Sequence, residues 1–542
     1  MNALLNDAIR FVIARVIIQA GLVFDLWQRL RIRRFTANQR RLKRKYRIHA
    51  DTPVVSYGPR VVESIRHAAA HAAPDARFAM TSGSTGEPKR ILYTSRRLRR
   101  LKFTFSDMFA RAARACRLNR TCLYVFSSFQ QDASLTSILL NEPKLPPYLA
   151  TLQAPYRVQQ HPAIRALATQ YGAAAVRLWI LTIANPGVLY ATNPSTISTF
   201  LDELKTNWPT SSRLVKDWYT TQRFDRAVRR IAQRLDSRGS TERLRRIATS
   251  TQPVPIQLFA PAVRAYICWT GGYVRPFLDR LEHHLPRAHY FLIPMYSMST
   301  ETLETEPVFR NGDVYFLPVA KGVVYEFIHE HATDDAQNLL TPAQLNPGET
   351  YAMVVSDAYG LRRYQTGDLF DCRLTLNHLP DLAFFRRRAL EYSFAGEKVT
   401  AEQLTIIYTY LQVQHYAQFA DGFFTCLPSL SPSPHYKLIF LSDSENTHDS
   451  EAVANECDNI LSTLNCEYKN KRASGLLAPI AFVQTNAADF AARFAGNWES
   501  QFKFLPLYRR TWEAADVPHL NVSHIRVSDS DTGAHRQTTS LQ

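Results

Sequence analysis

Cysteine is scarce in this chain and poorly spaced for chemistry. Seven occur in 542 residues (Cys116, Cys122, Cys268, Cys372, Cys426, Cys457 and Cys466), with no CxxC pair. That spacing points away from a zinc site and from a disulfide framework, and it fits a reducing cytoplasmic setting. Acidic residues are also in short supply, 47 against 65 Lys and Arg, for a formal net charge of +18. Such a balance suits nucleotides, nucleic acid or a membrane surface. Two basic runs, 29–47 and 223–246, nevertheless read as solvated helix faces. Internal repeats are absent, and no uncharged run is long enough to cross a bilayer. Residues 3–30 are strongly apolar but are broken by Asp7, Arg10, Arg15, Asp25 and Arg29. Within them, 11–24 has the length of a signal-peptide core without a basic start or a small-residue cleavage site. The segment reads as a helix packed on the main domain. An interfacial helix backed by the basic run, making a peripheral membrane contact, is one alternative, and a targeting segment is another.

What is present is enough for more than one core. A chain of 542 residues that is 46% apolar and aromatic exceeds what a single core organises. Its texture divides into a basic helical segment at 1–50, a large domain at 51–395, a small α+β domain at 396–515 and a polar tail at 516–542, expected to be disordered. A strand at 78–80 leads into a Gly-rich turn and then a basic amphipathic helix from about Ser95. Apolar runs at 123–127 and 176–183 alternate with helical patterns, the texture of α/β layering. A basic helical region spans 213–247, a short strand 265–270, and a helix 274–285. Strands dominate from 290, at 290–295, 313–319, 323–328 and 351–356. The last part reads as strand 436–441, helix 450–464, strand 478–483 and helix 487–494.

The chemistry is concentrated in three segments. Thr81-Ser82-Gly83-Ser84-Thr85-Gly86-Glu87-Pro88-Lys89 follows a strand directly. Glycines let backbone amides curl around an anion, hydroxyls add donors, and Lys89 supplies a compact positive charge. The composition cradles phosphate, with a spacing that is not GxxxxGK[ST]. Tyr296-Ser297-Met298-Ser299-Thr300-Glu301 ends a strand with a carboxylate, the donor a hard cation bridging phosphates requires. Tyr364-Gln365-Thr366-Gly367-Asp368 places a second carboxylate after a turn.

Taken in order, these segments resemble the adenylate-forming superfamily of acyl-CoA ligases, luciferases and adenylation domains. Later residues narrow the likeness. Residues 380–388, with Arg386, Arg387 and Arg388, lead into Gly396-Glu397-Lys398-Val399-Thr400-Ala401-Glu402-Gln403-Leu404, and Gln501-Phe502-Lys503 precedes Pro506. This pairing is similar to the auxin-responsive GH-three family of acyl-acid amido synthetases, over roughly 78–507 and least clearly between 143 and 264. The resemblance implies an α/β fold: a large multi-layer N-terminal domain of the adenylate-forming type and a small mobile α+β C-terminal domain. It further implies that Ser82, Gly83, Ser84, Thr85, Gly86 and Lys89 bind the phosphates of ATP. Thr300 and Glu301 approach the phosphates, Glu301 holds Mg²⁺, and Asp368 binds ribose near Tyr364. Arg387 lies by the nucleotide, with Arg386 and Arg388 as equivalents one residue away. Lys503 is brought to the α-phosphate by the mobile domain, and Lys398 stands at the hinge. Tyr296 sits one place farther from Glu301 than the family's aromatic, and Thr302 replaces its usual glycine. The implied reaction joins a small carboxylic acid to an amine, an amino acid, as an amide. An acyl-CoA ligase sharing the first step and a non-catalytic nucleotide-binding relative are the alternatives.

Overall fold

A computed structural model of the chain describes residues 2–71, 76–80, 89–127, 129, 135, 139, 151–221, 223–270, 274–293, 297–310, 312–388, 390–395, 397–443, 449–493 and 504–515. The fold is α/β, and three large apolar clusters organise it.

The chain opens with two helices, α1 (Asn2–Arg33) and α2 (Phe35–Lys45). α1 turns polar side chains inward. Asn6 Nδ2 donates to the Asp236 carbonyl (2.9 Å), Arg10 Nη2 to that of Leu235 (2.6 Å) and Gln28 Nε2 to that of Pro307 (3.0 Å). Arg31 pairs with Glu306 at 2.6 Å. α2 is tied down as firmly: Gln39 brackets the strand edge at Val323 and Tyr325, and Lys43 Nζ lies 2.7 Å from Glu326. The N-terminal segment is therefore packed on the main body of the protein.

After α3 (Pro59–Ala70), β1 (Arg77–Met80) and β2 (Arg90–Tyr93) pair antiparallel, Met80 opposite Arg90. Helix α4 (Ser95–Ala115) follows, started by Thr94, whose side chain accepts from the Arg97 amide. α1 crosses α4 at Gly21, where an added Cβ would stand 2.5 Å from the Ala110 carbonyl oxygen; the glycine is what admits this approach. The parallel sheet is β3 (Leu123–Val125), β4 (Val188–Tyr190), β5 (Ala265–Ile267) and β6 (Phe291–Leu292), in that order. The apolar run 176–183 is part of a helix, α5 (Ala173–Ala184), buried at every residue. Its twelve residues are too long for a strand between layers, and Asn185 in the left-handed conformation (φ 47°) ends it.

The chain then turns antiparallel. β7 (Ser297–Met298), β8 (Leu303–Arg310) and β9 (Asp313–Leu317) form one sheet, and β10 (Val324–His329), β11 (Thr350–Ser356), β12 (Tyr364–Leu376) and β13 (Leu379–Arg387) a second. A pair of short strands, β14 (Glu391–Tyr392) and β15 (Val399–Thr400), leads out of it. The last sheet is mixed. β16 (Phe423–Ser429) runs antiparallel to β17 (His435–Leu441), which pairs parallel with β18 (Ala481–Thr485). Helices Ala401–Gln414 and Ser450–Leu464 contribute to its core, and both are capped as their sequences dictate. Thr400 and Gln403 form a reciprocal capping box, and the Asp449 carboxylate accepts from the Glu451 and Ala452 amides.

Candidate active site

The β1–β2 hairpin holds the two ends of the Gly-rich loop together by pairing Met80 with Arg90. Residues 81–88 lie outside the described residues, so Ser82, Gly83, Ser84, Thr85 and Gly86 are placed by sequence alone, as are Tyr296 and Lys503. Lys89 is described, and it anchors the site. Its Nζ donates to Glu301 Oε1 (3.0 Å) and to the Tyr364 hydroxyl (2.9 Å), which in turn donates to Glu301 Oε1 (3.1 Å). The ammonium also lies 5.7 Å and 5.6 Å from the ring centres of Tyr57 and Tyr364. Residues 212 and 275 positions from the lysine thus converge on one point.

Electrostatics keep that point charged. Burial opposes ionisation of Glu301, which is 1% exposed. Lys89 and Arg387 outweigh the burial and hold the carboxyl below the usual carboxylate range. The Tyr364 hydroxyl is pushed far up, first by burial and then by the charge of Glu301, so it stays a proton donor. Beside them Arg387 Nε meets Asp368 Oδ1 at 2.9 Å, the two residues directly opposed across β12 and β13. Gly367 has φ 82°, a left-handed conformation that favours glycine, and its carbonyl accepts from the Arg388 amide (2.8 Å). The turn delivers Asp368 to the arginine. Register also separates the three candidate arginines. Arg386 pairs with Glu330, Arg388 with Asp334, and Arg387 faces the carboxylate of the motif.

Thr300 presents its carbonyl to the Tyr93 hydroxyl (2.9 Å). Lys398 stands apart from this cluster, exposed and in the left-handed conformation (φ 45°). Its neighbour Glu397 has a structural task, accepting from the Phe394 and Ala395 amides (2.7 and 2.8 Å) and the Tyr436 hydroxyl (2.6 Å). That network clamps the turn between β13 and the helix Ala401–Gln414.

A cation bridging phosphates keeps most of its ligands as water and phosphate oxygen, so one carboxylate suffices. The residues present fit such an ion. Glu301 is buried and ionised, and the buried Ser299 Oγ has no hydrogen-bond partner among the described residues. No cluster of three His, Cys, Asp or Glu exists among the described residues, so a cation here would depend on a phosphate-bearing partner.

Residues 316–387 match the model of the GH3 family central domain, which spans Tyr364, Asp368 and Arg387. Curated relatives agree with it. The chain is 22% identical over 214 residues to an indole-3-acetic acid-amido synthetase of Arabidopsis thaliana, covering 37% of this chain and 34% of that protein. It is 27% identical over 180 residues to a probable indole-3-acetic acid-amido synthetase of Oryza sativa subsp. japonica, covering 32% and 29%. Over these segments the chain is similar to the GH3 family. The alignments span about a third of the curated relatives' length. A solved GH3 structure, the acyl acid amido synthetase AtGH3.15 in complex with 2,4-DB, superposes with a TM-score of 0.65 at 17% identity, covering 87% of both chains. The likeness is one of fold.

Reading the GH3 motifs alone misses Arg97. The pattern from Ser95 reads as a basic amphipathic helix with no residue singled out, yet Arg97 is 9% exposed. Its guanidinium donates to the carbonyls of Leu92 (2.7 Å) and Glu301 (2.5 Å) and meets Asp357 at 3.3 Å, between the rings of Tyr93 and Tyr359. It fixes the backbone of Glu301. The one sequence signal is its position, three residues after the capping Thr94, on the turn of α4 that faces the sheet.

Proposed function

We propose that this chain activates a carboxylic acid with ATP as an acyl-AMP and transfers the acyl group to an amine, an amino acid, to form an amide. The observation that carries the reading is the convergence of Lys89, Glu301 and Tyr364 beside the Asp368–Arg387 pair. It brings the lysine that ends the Gly-rich segment together with two carboxylates, which supports reading Glu301 as a cation ligand and Asp368 as the ribose acceptor.

The loop amides and Lys89 hold the triphosphate, and Lys89 leaves Glu301 as it does so, freeing a carboxylate oxygen for Mg²⁺. The ion, when bound, neutralises charge on the phosphates. Asp368 accepts from the ribose hydroxyls, and Arg387 keeps that carboxylate oriented. The substrate carboxylate oxygen attacks the α-phosphorus and pyrophosphate departs. Lys503, carried by a mobile C-terminal domain with its hinge near Lys398, offsets the charge developing there. The amine nitrogen then attacks the acyl carbon, AMP leaves with the bonding pair, and the amine's proton passes to solvent. Closure of the small domain excludes the water that would otherwise hydrolyse the adenylate.

Carboxylate-dependent ATP–pyrophosphate exchange over aryl, indole and fatty acids tests the first half. Exchange with at least one acid is expected. ATP binding without exchange for any acid would instead mark a non-catalytic relative. Product mass after adding amino acids or coenzyme A tests the second half. An amide is expected, and a thioester with no amine dependence would overturn it.

A further inference from the structure

Helix α1 carries apolar side chains on its outward side as well as its inward one. Its inward side mixes Ala14 and Ile32 with Asn6, Arg10 and Gln28, which are no more than 7% exposed. Its outward side carries Leu5, Val12, Val16, Val23, Trp27 and Leu30, each between 49% and 63% exposed. Their spacing puts them on a single stripe of a helix about 48 Å long. Phe103 of α4 extends the stripe sideways, its ring 6.1 Å from that of Trp27. A contiguous apolar surface of this kind marks an interaction site rather than ordinary exposure.

Charge says what covers it. Beside the stripe, α1, the end of α4 and the β8–β9 hairpin enclose a groove of about 810 Å³. Arg15, Arg114, Arg117 and Arg310 line it against two carboxylates, Asp25 and Asp313. All four arginines are exposed, and α2 continues the pattern outward with Arg40, Arg41, Arg44 and Lys45. A second copy of the chain would bring these like charges together in a molecule already at +18. A surface of anionic headgroups complements them. No described helix is long and apolar enough to cross a membrane, so the fitting geometry is a helix lying in the interface. Trp27 and the half-exposed Phe11 are residues favoured at that depth.

We propose that α1 and its flanking groove dock the protein on a bilayer bearing anionic phospholipid, with α1 in the interfacial plane and lipid phosphates against the groove arginines. The test is flotation of the full chain with vesicles of phosphatidylcholine alone and with about one third phosphatidylglycerol. Binding to the anionic vesicles at least about tenfold tighter than to the neutral ones, and weakened by salt, is expected. The double substitution Val16→Glu and Val23→Glu should abolish binding with circular dichroism and unfolding midpoint unchanged. The triple substitution Arg114→Gln, Arg117→Gln and Arg310→Gln should reduce anionic binding to the neutral level. Failure of the unaltered chain to float with anionic vesicles would overturn the proposal, as would glutamate variants that bind like it. So would a dimer in sedimentation that the glutamates dissolve while no vesicle binding is found, which would assign the face to a second copy.

Discussion

In the proposed reaction Lys89 does two things at once, and its removal should separate them. As a phosphate ligand, its loss in Lys89→Met is expected to slow exchange by about 10²–10³-fold. As a neighbour of Glu301, it offsets the burial that disfavours that carboxylate. A carboxyl with a depressed pKa keeps its charge above the usual range and loses it as pH falls through the depressed value. Without Lys89 burial prevails, so the acid limb of the exchange profile should move to higher pH. An unmoved limb would show that the lysine does not set the charge of Glu301. Glu301→Ala and Asp368→Ala should each nearly abolish exchange with circular dichroism intact, and full exchange in either would remove that residue from the site. Much of this cluster was legible because a lysine after a Gly-Ser-Thr loop, and a carboxylate ending a strand, have few other uses. Arg97 was not. A buried arginine is indistinguishable in sequence from its solvated neighbours Arg96 and Arg99 until the fold puts a carbonyl and a carboxylate in front of it.

Among the elements, the junction of α1, α4 and β8 is held by charge inside an apolar setting. Arg111 is 0% exposed and shares Asp107 and Glu306 with Arg31. Replacing Glu306 with Gln leaves the buried Arg111 and the partly buried Arg31 guanidinium groups short of a charged partner. A loss of about 3–5 kcal/mol in urea unfolding is expected, and a loss under about 1 kcal/mol would mean that water reaches the pair. At the turn of β12, Gly367→Ala meets no steric neighbour but must hold φ 82°. It should cost about 1 kcal/mol of stability, with a larger effect on ATP affinity than on unfolding. Capping explains two element boundaries. Asp449 starts a helix at Ser450 and Thr400 starts one at Ala401 because each side chain satisfies amides that the first turn leaves open. The run 176–183 was ambiguous for a physical reason: once both faces are buried, a helix loses its period.

For the molecule as a whole, the proposed turnover needs the part after β13 to move. That part is docked through apolar contact, since Val274 and Phe277, at the start of the helix Arg275–His284, belong to its core and the Phe277 ring lies 5.2 Å from Phe423. Lys503→Ala should lose adenylation while calorimetry still records ATP binding, and unchanged turnover would refute its role. The apolar outer stripe of α1 bears on how the protein can be handled. A shortened chain lacking the helix would shed a greasy exterior, the usual aim of trimming. It would also strip Glu306 of Arg31 and take from the carbonyls of Leu235 and Asp236 the side-chain donors Arg10 and Asn6. Solubility is therefore better sought by recolouring the outer stripe with charge than by cutting, because here the surface that aggregates and the clamp that preserves the fold are two sides of one helix.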